Sequence, residues 1–176
     1  MITEKLLDDQ GILHTLDQMT QNIINQSKNI NQLILVGIQT GGAYLAERIH
    51  KNIQQILNKS IPIGSVNIAL YRDDWTKISY QPILQGTNIT FSIDDKHVVL
   101  IDDVVFTGRT VRAAMDAIFD IGRPGQIELA VLVDRGHREL PIQPDYCGKV
   151  IQTKRSQTVN VYLKEHDGKD SVVLVS

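Results

Sequence analysis

"VVLIDDVVFTGRT", residues 98–110, is the stretch whose reading decides the fold. Four apolar residues run straight into two adjacent carboxylates, Asp102 and Asp103, and a small, hydroxyl-rich turn follows at Thr107, Gly108, Arg109 and Thr110. The spacing predicts a buried strand over 98–103 and a helix over 109–121. That helix places Val111, Ala114, Met115, Ile118 and Ile121 on one face and ends at Gly122, which suits a C-cap. Open parallel sheets bind ligands at the carboxyl ends of their strands, where the two aspartates fall. A carboxylate is an acceptor-only group, so the pair suits the hydroxyls of a sugar diol or a hydrated magnesium ion; alternatively one of them caps the turn. The first N–H groups of the helix have no intrahelical partner and carry the positive end of its dipole, so the turn suits a phosphate. Diol at the strand end and phosphate one turn away span about the size of a ribose 5-phosphate. Neither a GKS/GKT ending nor a G-x-G-x-x-G loop is present.

The pattern continues on both sides. Residues 12–28 place Ile12, Leu16, Met19, Ile23 and Ile24 at helical spacing. "LILVGI" (33–38) is a continuous apolar run, as expected of a strand covered on both faces. A second helix is expected over 42–57, a strand over "SVNIALY" (65–71) and another over "IELAVLV" (127–133), with short apolar segments near 147–151, 159–163 and 172–175. Residues 72–97 lose the rhythm, which predicts either a functional lid or a floppy insert. Alternating strands and helices give an α/β fold with a mostly parallel sheet in one domain, 1–176.

Composition narrows the function. The 176 residues carry a net charge of -2, so no general basic excess marks a dedicated nucleic-acid binder. No run of about 18 apolar residues exists, so no membrane span is expected. "MITEKLLDDQ" lacks a signal-peptide core, and the expected location is cytoplasmic. The one cysteine, Cys147, can form neither an intramolecular disulfide nor a thiolate metal site; it reads as a small buried residue rather than a lone nucleophile.

"VVLIDDVVFTGRT" resembles the phosphoribosyl pyrophosphate signature of the type I phosphoribosyltransferases. "ALYRDD" (69–74), "RTVRAAMDAI" (109–118) and "AVLVDRGHRELPIQPDYCGK" (130–149) extend the likeness over essentially the whole chain, toward the pyrimidine operon attenuation proteins, bifunctional regulators and uracil phosphoribosyltransferases. The resemblance implies a central parallel sheet flanked by helices, a flexible lid over about 72–97 and a small hood from the tail and N-terminal region. It implies uracil, phosphoribosyl pyrophosphate and UMP as ligands, Mg2+ bound with the pyrophosphate substrate, pyr leader mRNA as a candidate partner, and a homo-oligomer. By the same resemblance Asp102 and Asp103 hold the ribose hydroxyls and contact the metal indirectly. Val104, Val105, Phe106, Thr107, Gly108, Arg109 and Thr110 form the phosphate loop. Thr40, Gly41 and Gly42 receive the pyrophosphate, and glycines there let backbone N–H groups close on an anion. Arg72 acts near the pyrophosphate, with Asp73 and Asp74 either orienting it or solvated. Arg135 and His137 are candidates for base or pyrophosphate contacts, and Val159 is a weaker candidate for the uracil edge.

The sequence departs from the family in two places. The best-known attenuators read T-R-G in the pyrophosphate loop, where this chain has Gly41, so one charge-assisted contact is lost. The polar face of the first helix offers His14, Asp17, Gln18, Gln21 and Asn22 with only Lys28 as a cation, although RNA affinity rests on cations near phosphates. Arg138, Lys149, Lys154 and Arg155 remain as a modest basic patch. Three readings follow: a uracil phosphoribosyltransferase, a UMP-sensing RNA regulator with residual catalysis, and a phosphoribosyltransferase for hypoxanthine, guanine or orotate.

Overall fold

The computed structural model describes residues 3–72 and 87–176. Five parallel strands form the main sheet in the order β3 (Ile63–Val66), β2 (Leu33–Ile38), β4 (His97–Val105), β5 (Gln126–Asp134), β6 (Tyr146–Val150). Every residue of β2 is buried, as its unbroken apolar run requires of a strand covered on both faces. On one face lie α1 (Asp9–Gln26) and α2 (Gly41–Leu57), whose Ile12, Leu16, Ile23, Leu45, Ile49 and Ile53 pack with Leu33, Leu35, Val99 and Ile101. On the other lies α3 (Arg109–Ile121), whose Val111, Ala114 and Ile118 pack with Ile34, Val36, Val98 and Leu100. The α/β class and its parallel sheet are as the sequence implies.

A second sheet caps the carboxyl ends of the first. It is antiparallel, in the order β1 (Thr3–Leu7), β8 (Ser171–Val175), β7 (Thr158–Tyr162). This is the hood, and a four-residue helix, α4 (Lys164–Asp167), joins β7 to β8. Among the described residues no helix is long and apolar enough to cross a membrane.

Several boundaries differ from the sequence reading, and three of them have a visible cause. Helix α1 starts earlier, at Asp9, because Asp8 caps it by accepting from Gly11 N at 2.8 Å. Strand β3 ends at Val66 rather than running to 71: Asn67 Oδ1 accepts from Ala69 N at 2.9 Å and Tyr71 N donates to Ile68 O at 2.9 Å, so the backbone turns. The expected lid over 72–97 lies mostly outside the described residues, but its last part is packed rather than loose. Asn88 bridges Ser65 through two backbone bonds, Ile93 is buried, and β4 begins at His97.

Candidate functional site

The chain leaves β4 at Val105 and turns into α3 through Gly108, which has φ 92°. Most side chains disfavour that left-handed region, so glycine is the residue the turn needs. The N-cap residue of α3, Gly108, offers no side-chain cap, and Thr107 Oγ1 accepts from Arg109 N only at a long 3.4 Å. The carbonyls of the loop are already committed: Val105 O accepts from Arg135 N, Phe106 O from Arg138 Nη1, and Thr107 O from Glu139 N and Leu140 N, at 2.9–3.2 Å. With the carbonyls drawn toward 135–140, the amide side of the loop is left to meet an anion at the helix start. A cavity of about 310 Å³ lies here, lined by Arg72, Val104, Val105, Phe106, Thr107, Gly108, Arg109, Thr110 and Val111. Arg72 therefore lines the same space as the phosphate loop, and Arg109 donates from Nε to Glu139 at 3.0 Å.

A neighbouring cavity of about 430 Å³ shares Val104 with the first. It is walled on one side by Thr40, Gly41 and Tyr44 at the start of α2, and on the other by Val159 to Leu163, His166 and Asp167 of the hood, with Asp103 at its floor. Helix α2 can start this close to β4 because Gly42 lacks a side chain: a Cβ there would lie 2.2 Å from Ile101 O. The Gln39–Thr40 peptide bond is cis. Asp103 lines the cavity, whereas Asp102 is 6% exposed and lines neither cavity.

The two acids are nonetheless in contact. Asp102 Oδ1 accepts from Asp103 N at 2.9 Å, and Asp103 Oδ1 accepts from Val104 N at 2.6 Å. Burial, and then the charge of Asp103, holds Asp102 well above the ordinary carboxylate range; burial likewise pushes Asp103 up. A cation or hydroxyl donors arriving at such a pair would compensate the charge that burial disfavours.

Arg135 and His137 both lie against Phe106 of the β4–α3 loop. The Arg135 guanidinium lies 4.0 Å from the Phe106 ring centre, is buried, and donates to Lys154 O at 3.1 Å. His137, with φ 63°, meets the edge of Phe106 and makes a 2.7 Å bond to Thr153 O. The structure therefore brings them to Phe106 and the 153–154 backbone, and not to the lining of either cavity. Arg138 is held by Asp134, Ile142 O and Phe106 O at 2.5–2.9 Å, and Arg155 is paired with Glu139. Of the expected basic patch, Arg138 is therefore largely buried against internal partners, whereas Arg155 stays exposed with its charge paired to Glu139. On α1, His14, Asp17, Gln18, Gln21 and Asn22 are exposed as the sequence implies, with Asp17 accepting from Asn52.

Tyr44, His166 and Asp167 were not foreseen as lining residues. Tyr44 was within reach of the sequence, three positions after Gly41 and so on the same helical face. His166 and Asp167 carry no local signal; they arrive through the hood.

The chain matches the "Phosphoribosyl transferase domain" family model over residues 3–166. It is 52% identical over 170 residues to the bifunctional protein PyrR of Desulfosudis oleivorans, covering 96% of this chain and 94% of that one. It is 50% identical over 170 residues to the PyrR of Clostridioides difficile, covering 97% and 96%. Among solved structures it is similar to the hypoxanthine-guanine phosphoribosyltransferase hpt-2 of Bacillus anthracis, with TM-score 0.73, 15% identity and coverage of 100% and 99%. It is also similar to the Staphylococcus aureus hypoxanthine phosphoribosyltransferase, with TM-score 0.70, 20% identity and coverage of 97% and 90%. At these identities the structural likeness speaks for the fold alone.

Proposed function

This chain belongs to the phosphoribosyl transferase domain family and, within it, to the bifunctional PyrR proteins, and from that premise we propose that it joins uracil to phosphoribosyl pyrophosphate to form UMP and diphosphate. The observation that carries the reading is the pair of adjoining cavities sharing Val104, one bounded by an amide-rich helix start and the other by an acid, a glycine loop and the hood. The 5′-phosphate rests on the amides of residues 106–110, with Thr107 and Thr110 adding hydroxyl donors. Asp103, which lines the cavity, takes the ribose hydroxyls with the buried Asp102 behind it, Thr40, Gly41 and Gly42 receive the diphosphate, and the backbone near Val159 meets the base.

In the reaction the C1–oxygen bond breaks, its electron pair leaves with the diphosphate, and uracil N1 adds to C1 from the opposite face as its N–H proton passes to solvent or the released diphosphate. The protein supplies positioning and charge stabilisation, and needs no covalent nucleophile. Cys147 suits that reading, since burial, and then the charge of Asp134, pushes its thiol up and away from reactivity. Among the described residues no group of three or more acidic, histidine or cysteine side chains could hold a metal alone. Two adjacent buried acids, whose charged forms burial disfavours, do fit a divalent ion that arrives on the substrate's own oxygens, with Asp102 and Asp103 as indirect partners. Bound there, magnesium would neutralise charge on the departing diphosphate.

The test mixes the purified protein with uracil, phosphoribosyl pyrophosphate and magnesium and looks for UMP, with Asp103→Asn as the impaired control. Turnover of hypoxanthine, guanine or orotate in preference to uracil would reject the base assignment. The bifunctional character of the PyrR relatives supports a second role, UMP-dependent binding of pyr leader mRNA. A gel shift with the organism's own transcript, with and without UMP at physiological salt, tests it, and an affinity indifferent to UMP would reject it.

A further inference from the structure

The second cavity has two walls from distant parts of the chain: the first turn of α2, and the β7–α4 segment. Helix α4 has four residues, buries none of them and has no side-chain N-cap, so it cannot hold its own position. What holds it is Arg48, one turn beyond Tyr44 on α2. Its guanidinium donates to both oxygens of Glu165, at 2.9 and 2.6 Å, and to both oxygens of Asp170, at 2.9 and 2.8 Å. Arg48 and Asp170 are largely buried, with side chains 13% and 8% exposed. Asp170 Oδ1 in turn accepts from Lys164 N at 2.7 Å, and Asp167 Oδ2 accepts from Leu163 N at 2.8 Å, so the clamp passes directly into the cavity wall. Across the gap the Tyr44 and His166 rings stack, with centres 6.5 Å apart and planes 25° apart. Two in-plane carboxylate forks fix direction as well as distance, which an ammonium cannot do.

We propose that Arg48 is a positioning residue that sets the gap between the α2 wall and the hood wall, and so governs the fit of the nucleobase without touching it. The proposal rests on the phosphoribosyltransferase reading with uracil in this cavity. It separates the two substrates: the 5′-phosphate seat is the loop at β4–α3, which the clamp does not contact, and the diphosphate seat is the first turn of α2, which Gly42 packs directly on β4, so only the base end depends on the hood.

Steady-state kinetics on the full chain tests it. Arg48→Met raises KM for uracil about tenfold and leaves KM for phosphoribosyl pyrophosphate within about twofold, because only binding at the base end is lost. Arg48→Lys keeps the charge without the forks and does not restore the uracil KM. Asp170→Asn, a milder change, shows the same split in smaller degree and serves if Arg48→Met does not fold. Amide hydrogen exchange over 158–167 rises in Arg48→Met above the parent, with 98–118 unchanged. Equal rises in both KM values, or an unchanged uracil KM beside a lowered Tm, would reduce Arg48 to a structural role and leave the uracil reading intact. No turnover of uracil by the parent would remove the uracil reading, and exchange over 158–167 then decides the clamp: protection equal to the parent's in Arg48→Met overturns it.

Discussion

Gly41 and Asp103 are in contact: a Cβ built on Gly41 would lie 2.4 Å from Asp103 Oδ2 and 3.0 Å from its Cγ. Real Cβ atoms do not approach so closely, so any other residue at 41 moves the acid. Asp103 has little room to yield, because its other oxygen is held by Val104 N. The missing arginine of the T-R-G pattern is therefore more than a lost charge. The seat that Asp103 occupies here is open because position 41 has no side chain.

Gly41→Ala is expected to displace Asp103 and lower kcat/KM for phosphoribosyl pyrophosphate by roughly tenfold, with Tm shifted by only a few degrees. Kinetics beside a thermal melt checks it. An unchanged kcat/KM means the carboxylate rotates aside without consequence.

Asp102→Asn is expected to stabilise the ligand-free protein at neutral pH while reducing turnover. The folded protein holds the Asp102 carboxyl above its unfolded value, so its contribution is favourable below the unfolded range and is lost as pH rises through the folded value. Each unit of upward displacement costs the folded state about 1.4 kcal/mol at pH above both values. Melts of parent and variant from pH 5 to 8, a range chosen to lie above roughly the ordinary aspartate value, should diverge as pH rises; parallel curves would contradict the burial effect.

The Arg48 clamp carries the opposite sign. Hydrogen bonds from Arg48 hold Glu165 and Asp170 below the ordinary carboxylate range. Their stabilisation is complete above the unfolded values, near pH 4, and disappears as pH falls through the folded ones. The double variant Glu165→Gln, Asp170→Asn should therefore lose the part of the parent's acid sensitivity that falls below about pH 4. Thermal midpoints across that window measure it.

Arg138→Met is expected to cost about 2 kcal/mol, since it leaves the half-buried Asp134 carboxylate without its ion pair and Phe106 O without a donor. Denaturant unfolding gives the stability change. Affinity for phosphoribosyl pyrophosphate should fall with it, because the carbonyl side of the phosphate loop loses an anchor.

How much of this was legible in the residues differs by element. The bounds of β2 at 33–38 and of α3 at 109–121 agree with their apolar patterns, because burial on both faces, or on one helical face, dictates them. The ends of β3 and α1 were set instead by single side chains, Asn67 and Asp8, that capture a backbone N–H. Strand β1, "TEKLL", has too little apolar character to announce itself and exists because β8 offers it an edge. The acid pair at the end of β4 and the glycine turn into α3 sit in one contiguous motif, so their placement side by side was readable. The hood wall was not, since Arg48 meets Glu165 and Asp170 across 117 and 122 positions, and no local pattern reports so distant a pairing.

In the hood, β8 lies between β7 and β1, so its middle strand must pair with residues at positions 3–7, a closure spanning nearly the whole polypeptide. Long closures are entropically costly and form late. During synthesis the parallel layer, with its anion-binding turn, is able to assemble while the roof over the neighbouring chamber is still missing. On the phosphoribosyltransferase reading proposed above, a nascent molecule would then have its phosphate seat before its base seat, and selectivity would be the last property this fold acquires.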